Sequence, residues 1–281
     1  MKIGIVGWEN VPGSLKDLLV KEEGFTLAGV YNLNEDNTSE AAKSFTSMDA
    51  LVSSSDAIIL GKRDILTFEW VKLLAKQSKP VFCLFPFDFN HQQVVEIHNL
   101  INEGNSYFQF LMPYPIHSLL TAGNHWDNTQ QRHLYLTPSL NSDSIWSQVK
   151  GCLCAGLSII NSGTRKTRTH ILKQDGNSPH LVDISVEFEN FSLLNILIRN
   201  NNTDQIIVAD ELSSNSVSIQ WDRENSNREA PGNYMELQLL EFIQSKKEGT
   251  VPQFGIDLLH DSMKAFEFIR QNRNSFLGNR A

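Results

Sequence analysis

Across the first part of this chain, short and wholly apolar runs alternate with segments of helical spacing, and no other feature narrows the available folds as much. Lys2 to Val6 is a β-branched run that ends at Gly7; Pro12-Gly13-Ser14 then leads into Leu15, Leu18 and Leu19 at helical spacing, closed by Gly24. Phe25 to Tyr31 is a second apolar run, Ser39 to Met48 a short linker of helical character, and Asp56 to Leu60 a third, very apolar run ending at Gly61. Thr67 to Lys76 places Phe68, Val71, Leu74 and Ala75 on one helical face before the run Val81 to Phe85; His91 to Glu103 reads as another helix and Tyr107 to Met112 as another strand. Strands this short and this apolar are buried on both faces, as in a parallel sheet built from right-handed crossovers. Residues 1–120 therefore read as a doubly wound, Rossmann-type α/β domain.

The pattern changes from about Trp146. Val182, Ile184, Val186 and Phe188 alternate with Asp183, Ser185 and Glu187, and Val217, Ile219 and Trp221 alternate with Ser218 and Gln220. A period of two marks strands with one buried face. Leu193 to Arg199 and Gln205 to Ala209 add two strands, and Met235 to Lys247 and Ile256 to Arg270 close the chain as helices. Residues 121–281 read as an α+β domain with an open, mostly antiparallel sheet, for substrate binding and dimerisation, and the final helices are candidates to pack back on the first domain.

Charge narrows the partners. Lys plus Arg number 24 against 32 Asp plus Glu, a net charge of −8, which repels phosphate backbones and anionic lipid surfaces. Nucleic acid and membranes are excluded on this ground. The three cysteines, Cys83, Cys152 and Cys154, make neither a disulfide framework nor a closed zinc site and fit a reducing cytoplasm. The apolar start Met1 to Gly7 is too short for a signal peptide, and no uncharged apolar stretch reaches the roughly 18 residues that span a bilayer. A soluble, cytoplasmic protein without a metal is expected.

A nucleotide-binding half, a mixed sheet, and a helix pair running through Glu241-Phe242-Ile243-Gln244-Ser245-Lys246 and Gly249-Thr250-Val251-Pro252 resemble the Gfo/Idh/MocA oxidoreductases, among them glucose-fructose oxidoreductase and inositol dehydrogenase. The likeness extends from Met1 to about Arg273 and is carried by the order of elements more than by any motif. It implies NAD or NADP held by a Gly-rich turn, an acidic residue after the second strand for the ribose, and a Glu-Lys-Pro tripeptide after the fifth. It also implies a histidine that contacts a sugar or polyol, and subunit pairing through the second sheet.

Several positions depart from that pattern. Gly7-Trp8-Glu9-Asn10-Val11-Pro12-Gly13 keeps the first glycine, but Glu9 and Pro12 stand where the second and third belong. A carboxylate there repels a diphosphate. Tyr31 and Asn32 occupy the ribose position, with Glu35 and Asp36 slightly further on. Phe85-Pro86 aligns with Lys-Pro, and phenylalanine cannot exchange a proton. Leu153 lies near the expected histidine. Cys152 and Cys154, two apart on a helix, do not face each other and read as packing thiols.

Ligands of open α/β sheets sit at the carboxyl ends of the strands. The residues expected there are Gly7, Trp8, Glu9 and Asn10 after the first strand, Tyr31 and Asn32 after the second, Gly61, Lys62, Arg63 and Asp64 after the fourth, Pro86, Phe87 and Asp88 after the fifth, and Tyr114 to His117 after the sixth. Lys62 and Arg63 offer an anion handle, Trp8 and Phe87 a stacking surface. Three readings follow: a divergent member whose dehydrogenase activity is lost or altered; an active NAD(P)-dependent dehydrogenase in which Lys62 or His117 transfers the proton; and a non-catalytic ligand-binding or oligomeric assembly protein.

Overall fold

Five parallel strands in the order β2-β1-β3-β4-β5 form the first sheet of a computed structural model, which describes residues 1–21, 24–32, 43–61, 66–84, 86–112, 132–137, 145–173, 179–199, 203–210, 216–222 and 234–278. The strands are β1 (Lys2–Val6), β2 (Thr26–Tyr31), β3 (Ala57–Leu60), β4 (Val81–Cys83) and β5 (Phe108–Phe110). The helices of this part are α1 (Gly13–Lys21), α2 (Met48–Ser54), α3 (Leu66–Lys76) and α4 (His91–Glu103). Ile3, Ile5, Ala57, Ile59 and Phe82 on one face of the sheet pack with Leu15 and Leu19 of α1 and with Leu239, Phe242 and Ile243 of a later helix, α6 (Tyr234–Glu248). The doubly wound reading therefore holds, and the runs are apolar throughout because both faces are covered.

The stretch from Ser39 to Met48 differs from its sequence reading. In its described part, Ser44 makes only an isolated bridge to Val30. The helix starts at Met48 because the Ser47 hydroxyl accepts the Ala50 N–H at 3.2 Å and caps it. Among the described strands Gly61 follows the third and Pro86 the fourth, each one earlier than the expected numbering.

The second sheet has six strands in the order β11-β10-β6-β9-β8-β7. They are β6 (Arg132–Thr137), β7 (Thr164–Lys173), β8 (Pro179–Phe188), β9 (Leu193–Arg199), β10 (Thr203–Asp210) and β11 (Ser216–Asp222). Only β6 and β9 pair in parallel; every other neighbour is antiparallel. Leu134, Leu136, Val182, Ile184, Val186, Leu194 and Ile196 are buried, with helix α5 (Ile145–Ile160) packed on β6 and β9. The last helix is α7 (Ile256–Gly278).

Two compact units result, Met1–Met112 with Asn233–His260, and Pro113–Gly232 with Asp261–Ala281. Within the first, Gln238 of α6 is fully buried and clasps the exit of β5: its Oε1 accepts the Met112 N–H at 2.7 Å and its Nε2 donates to the Met112 carbonyl at 3.1 Å. Among the described residues, no helix is long and apolar enough to cross a membrane.

Candidate functional site

Gly7 ends β1 in the left-handed conformation, with φ of 76°, where a side chain would clash with the backbone. Its N–H donates to the Tyr31 carbonyl at 3.0 Å, and the next N–H, that of Trp8, donates to Asn32 Oδ1 at 3.1 Å. The chain then makes one 3-10 turn, Trp8–Asn10. Asn10 N–H returns to the Gly7 carbonyl and Val11 N–H to the Trp8 carbonyl, both at 3.1 Å. Pro12 has no N–H to give. Two donors at the positions where a dinucleotide turn directs backbone amides at a diphosphate are thus spent on the turn itself.

Glu9 and Asn10 are exposed and linked by a 3.3 Å hydrogen bond from Asn10 Nδ2 to Glu9 Oε1, so the mouth of the turn carries a carboxylate. Behind it, Lys16 Nζ lies 5.3 Å from the centre of the Trp8 ring. Tyr31 meets Trp70 of α3 edge to face, ring centres 6.2 Å apart. Gly61 closes the other side: a Cβ there would come within 2.8 Å of the Gly7 carbonyl oxygen, so only glycine allows the two strand ends to approach this closely.

The structure thus brings together Gly7, Trp8, Glu9, Asn10, Tyr31, Asn32 and Gly61 at the carboxyl ends of three adjacent strands, and places Pro86 in a short turn after β4. Lys62, Arg63, Asp64, Phe85, Glu35, Asp36 and Tyr114 to His117 lie outside the described residues. Sequence reasoning did not single out Lys16 or Trp70; a cation and an indole inside helical patterns give no signal until the crossovers bring them to the strand ends. These strand ends thus set the rings of Trp8 and Tyr31 beside Gly7 and Gly61. The turn after β1 keeps its Asn10 and Val11 amides internally bonded and exposes the Glu9 carboxylate.

Leu153, Cys152 and Cys154 resolve as packing. Leu153 is fully buried, as are Cys152 and Cys154, and Cys154 Sγ sits 2.9 Å from the Ser262 hydroxyl. Burial pushes that thiol up to about 12, which removes it from thiolate chemistry. Lys79 donates to the Ser55 carbonyl at 2.5 Å, beyond the amino end of the sheet. His98 stacks on His260 with ring centres 4.5 Å apart and meets Asp257 Oδ1 at 3.0 Å. Among the described residues no three His, Cys, Asp or Glu side chains converge for a metal.

No family profile and no curated protein matches the chain by sequence. Solved structures do match in fold. A probable dehydrogenase from Thermotoga maritima superimposes with a TM-score of 0.79 at 15% identity, over 100% of this chain and 98% of that one. A putative myo-inositol dehydrogenase from Sinorhizobium meliloti gives 0.76 at 11% identity, over 98% of each chain. The WlbA dehydrogenase from Bordetella pertussis, solved with NADH and UDP-GlcNAcA, gives 0.71 at 11% identity, over 98% of this chain and 97% of that one. The chain shares the fold of these solved dehydrogenases, the α/β fold that its sequence resemblance implied.

Proposed function

We propose that this chain is a divergent relative of the dehydrogenases that share its fold, one that holds NAD or NADP weakly and whose hydride-transfer equipment is lost or much altered. The observation that carries the reading is the turn after β1, where the Asn10 and Val11 amides close on the turn's own carbonyls and Glu9 is exposed at the mouth. A bound dinucleotide would supply the hydride chemistry itself. Gly7 and Gly61 would admit its backbone-hugging portion, Trp8, Tyr31 and Asn32 would face its nucleoside, and the chain would supply little to grip the diphosphate. The resemblance also puts Phe85 at the family's proton-transfer lysine, and no proton can pass through that side chain.

A turnover assay tests this. Purified protein mixed with NAD or NADP and a panel of polyols, sugars and sugar acids is expected to reduce no cofactor. Robust reduction that is lost in Gly7→Ala would contradict the proposal.

A homo-oligomer formed through the six-stranded sheet belongs to the same reading. The register aligns Tyr135 with Asn195 and Ile207, beside His133 with Leu193. Tyr135 is 42% exposed, and an exposed aromatic suits a subunit contact. Light scattering is expected to give a mass at least double 31.8 kDa, and Tyr135→Lys to reduce it. The three free, buried cysteines suit a reducing cytoplasm.

A further inference from the structure

Strand β7, Thr164–Lys173, holds Arg165, Lys166, Arg168 and Lys173 and no acidic residue, in a chain whose net charge is −8. It is an edge of the six-stranded sheet, and among the described strands only β8 pairs with it. Arg165, Lys166, Arg168 and His170 are exposed. The register shifts between Thr164 and Lys166 and again between Leu172 and Lys173, and it is regular from Lys166 to Leu172. Alternate peptide groups along that regular stretch point away from β8 and are open to a further strand.

The acids of β8 do not neutralise this edge. The register sets Glu187 opposite Lys166, Ser185 opposite Arg168 and Asp183 opposite His170. Glu187 Oε1 is taken by Arg165 Nη1 at 2.8 Å, and the Arg165 guanidinium lies 5.1 Å from the centre of the Phe191 ring. Lys166 and Arg168 make no ion pair among the described residues. With His170 they stand at every second position, on the face opposite to that of buried Thr167. A single lysine or bulge is enough to blunt an edge; a row of cations along a regular edge can be matched residue for residue. We propose that β7 accepts an added strand from an acidic protein partner, an extended segment in which Asp or Glu alternates with β-branched residues. Main-chain bonds to β7 would hold the segment, and its carboxylates opposite Lys166, Arg168 and His170 would select it. A second copy of β7 is no match, because its cations would face these. The surface lies in the second unit and rests on neither the nucleotide nor the oligomer reading.

The test uses the full chain and two synthetic peptides as long as Lys166 to Leu172, one alternating Glu with Val and one alternating Lys with Val. The Glu peptide is expected to bind, less tightly as salt is raised, and to slow exchange of alternate β7 amides about tenfold as new ladder bonds form. A Glu peptide with proline at its central Val is expected to bind about tenfold more weakly, since proline gives no ladder donor. Lys166→Glu with Arg168→Glu is expected to lose the Glu peptide by about tenfold or more and to take up the Lys peptide. Lys166→Gln with Arg168→Gln is the second variant if that one does not fold, and is expected to lose the Glu peptide alone. Equal binding of the proline peptide, β7 amides that exchange unchanged, equal binding by the variants, or a preference for single-stranded DNA or phosphatidylserine vesicles over the Glu peptide would overturn the proposal.

Discussion

The backbone N–H of Trp8 donates to Asn32 Oδ1 across 3.1 Å, so the residue after β2 pins the turn after β1. In a dinucleotide site an acidic residue at that strand end would face the ribose hydroxyls. Here a neutral amide does structural work in the same place, and the turn it fixes is the one that has closed on itself.

Replacing Asn32 separates these roles. Asn32→Ala removes the acceptor and is expected to cost about 1 kcal/mol in urea denaturation. Asn32→Asp keeps an acceptor and adds a carboxylate, so NADH binding is expected to improve relative to NADPH by about tenfold, since the carboxylate repels a 2′-phosphate. An unchanged preference in competition binding would show that Asn32 does not face the ribose.

Glu9→Gly removes the charge at the mouth of the turn. Binding of NADH is expected to tighten about tenfold at low ionic strength, with the gain shrinking as salt is added, because an exposed charge is screened. A change that is the same at all salt concentrations would point to backbone relaxation instead of charge.

Gln238 is a stability determinant at the exit of β5. Gln238→Leu leaves the buried Met112 N–H and carbonyl without the partners that the amide supplies, a loss expected to cost about 2–4 kcal/mol. A loss under 1 kcal/mol in urea denaturation would mean that Met112 finds other partners.

Cys154 sets an alkaline limit. Burial holds its thiol protonated up to about 12, so the unfolded chain releases this proton at lower pH than the folded one does. The stabilising contribution is complete below the unfolded thiol's pKa of about 8.5 and is lost as pH rises toward 12, by about 1.4 kcal/mol per pH unit. Cys154→Ala is expected to flatten that part of the stability curve, read from urea midpoints between pH 8 and 10.

The first sheet was legible because each of its strands is largely apolar, and the helix His91 to Glu103 because Val94, Val95, Ile97, Leu100 and Ile101 recur at helical spacing. Strand β7 was missed for a physical reason. It is an edge strand whose inward positions include Thr167 and Thr169, set between Lys166, Arg168 and His170, so no apolar alternation marks it. Helix α2 was displaced because the capping signal of Ser47 is a single hydroxyl. At the candidate site, Glu9, Asn32 and Gly61 could be read as departures or matches. The inward turn of the Asn10 and Val11 amides could not, since backbone hydrogen bonds leave no side-chain signature.

The most direct measurement is a titration with NADH and NADPH that follows nicotinamide fluorescence and the quenching of Trp8, with Trp8→Phe separating that signal from the other four tryptophans. A turn that has closed its own donors and carries Glu9 at its mouth is expected to bind only at millimolar ligand. Saturation at micromolar NADH or NADPH, in protein shown to be folded, would contradict a weakened dinucleotide site.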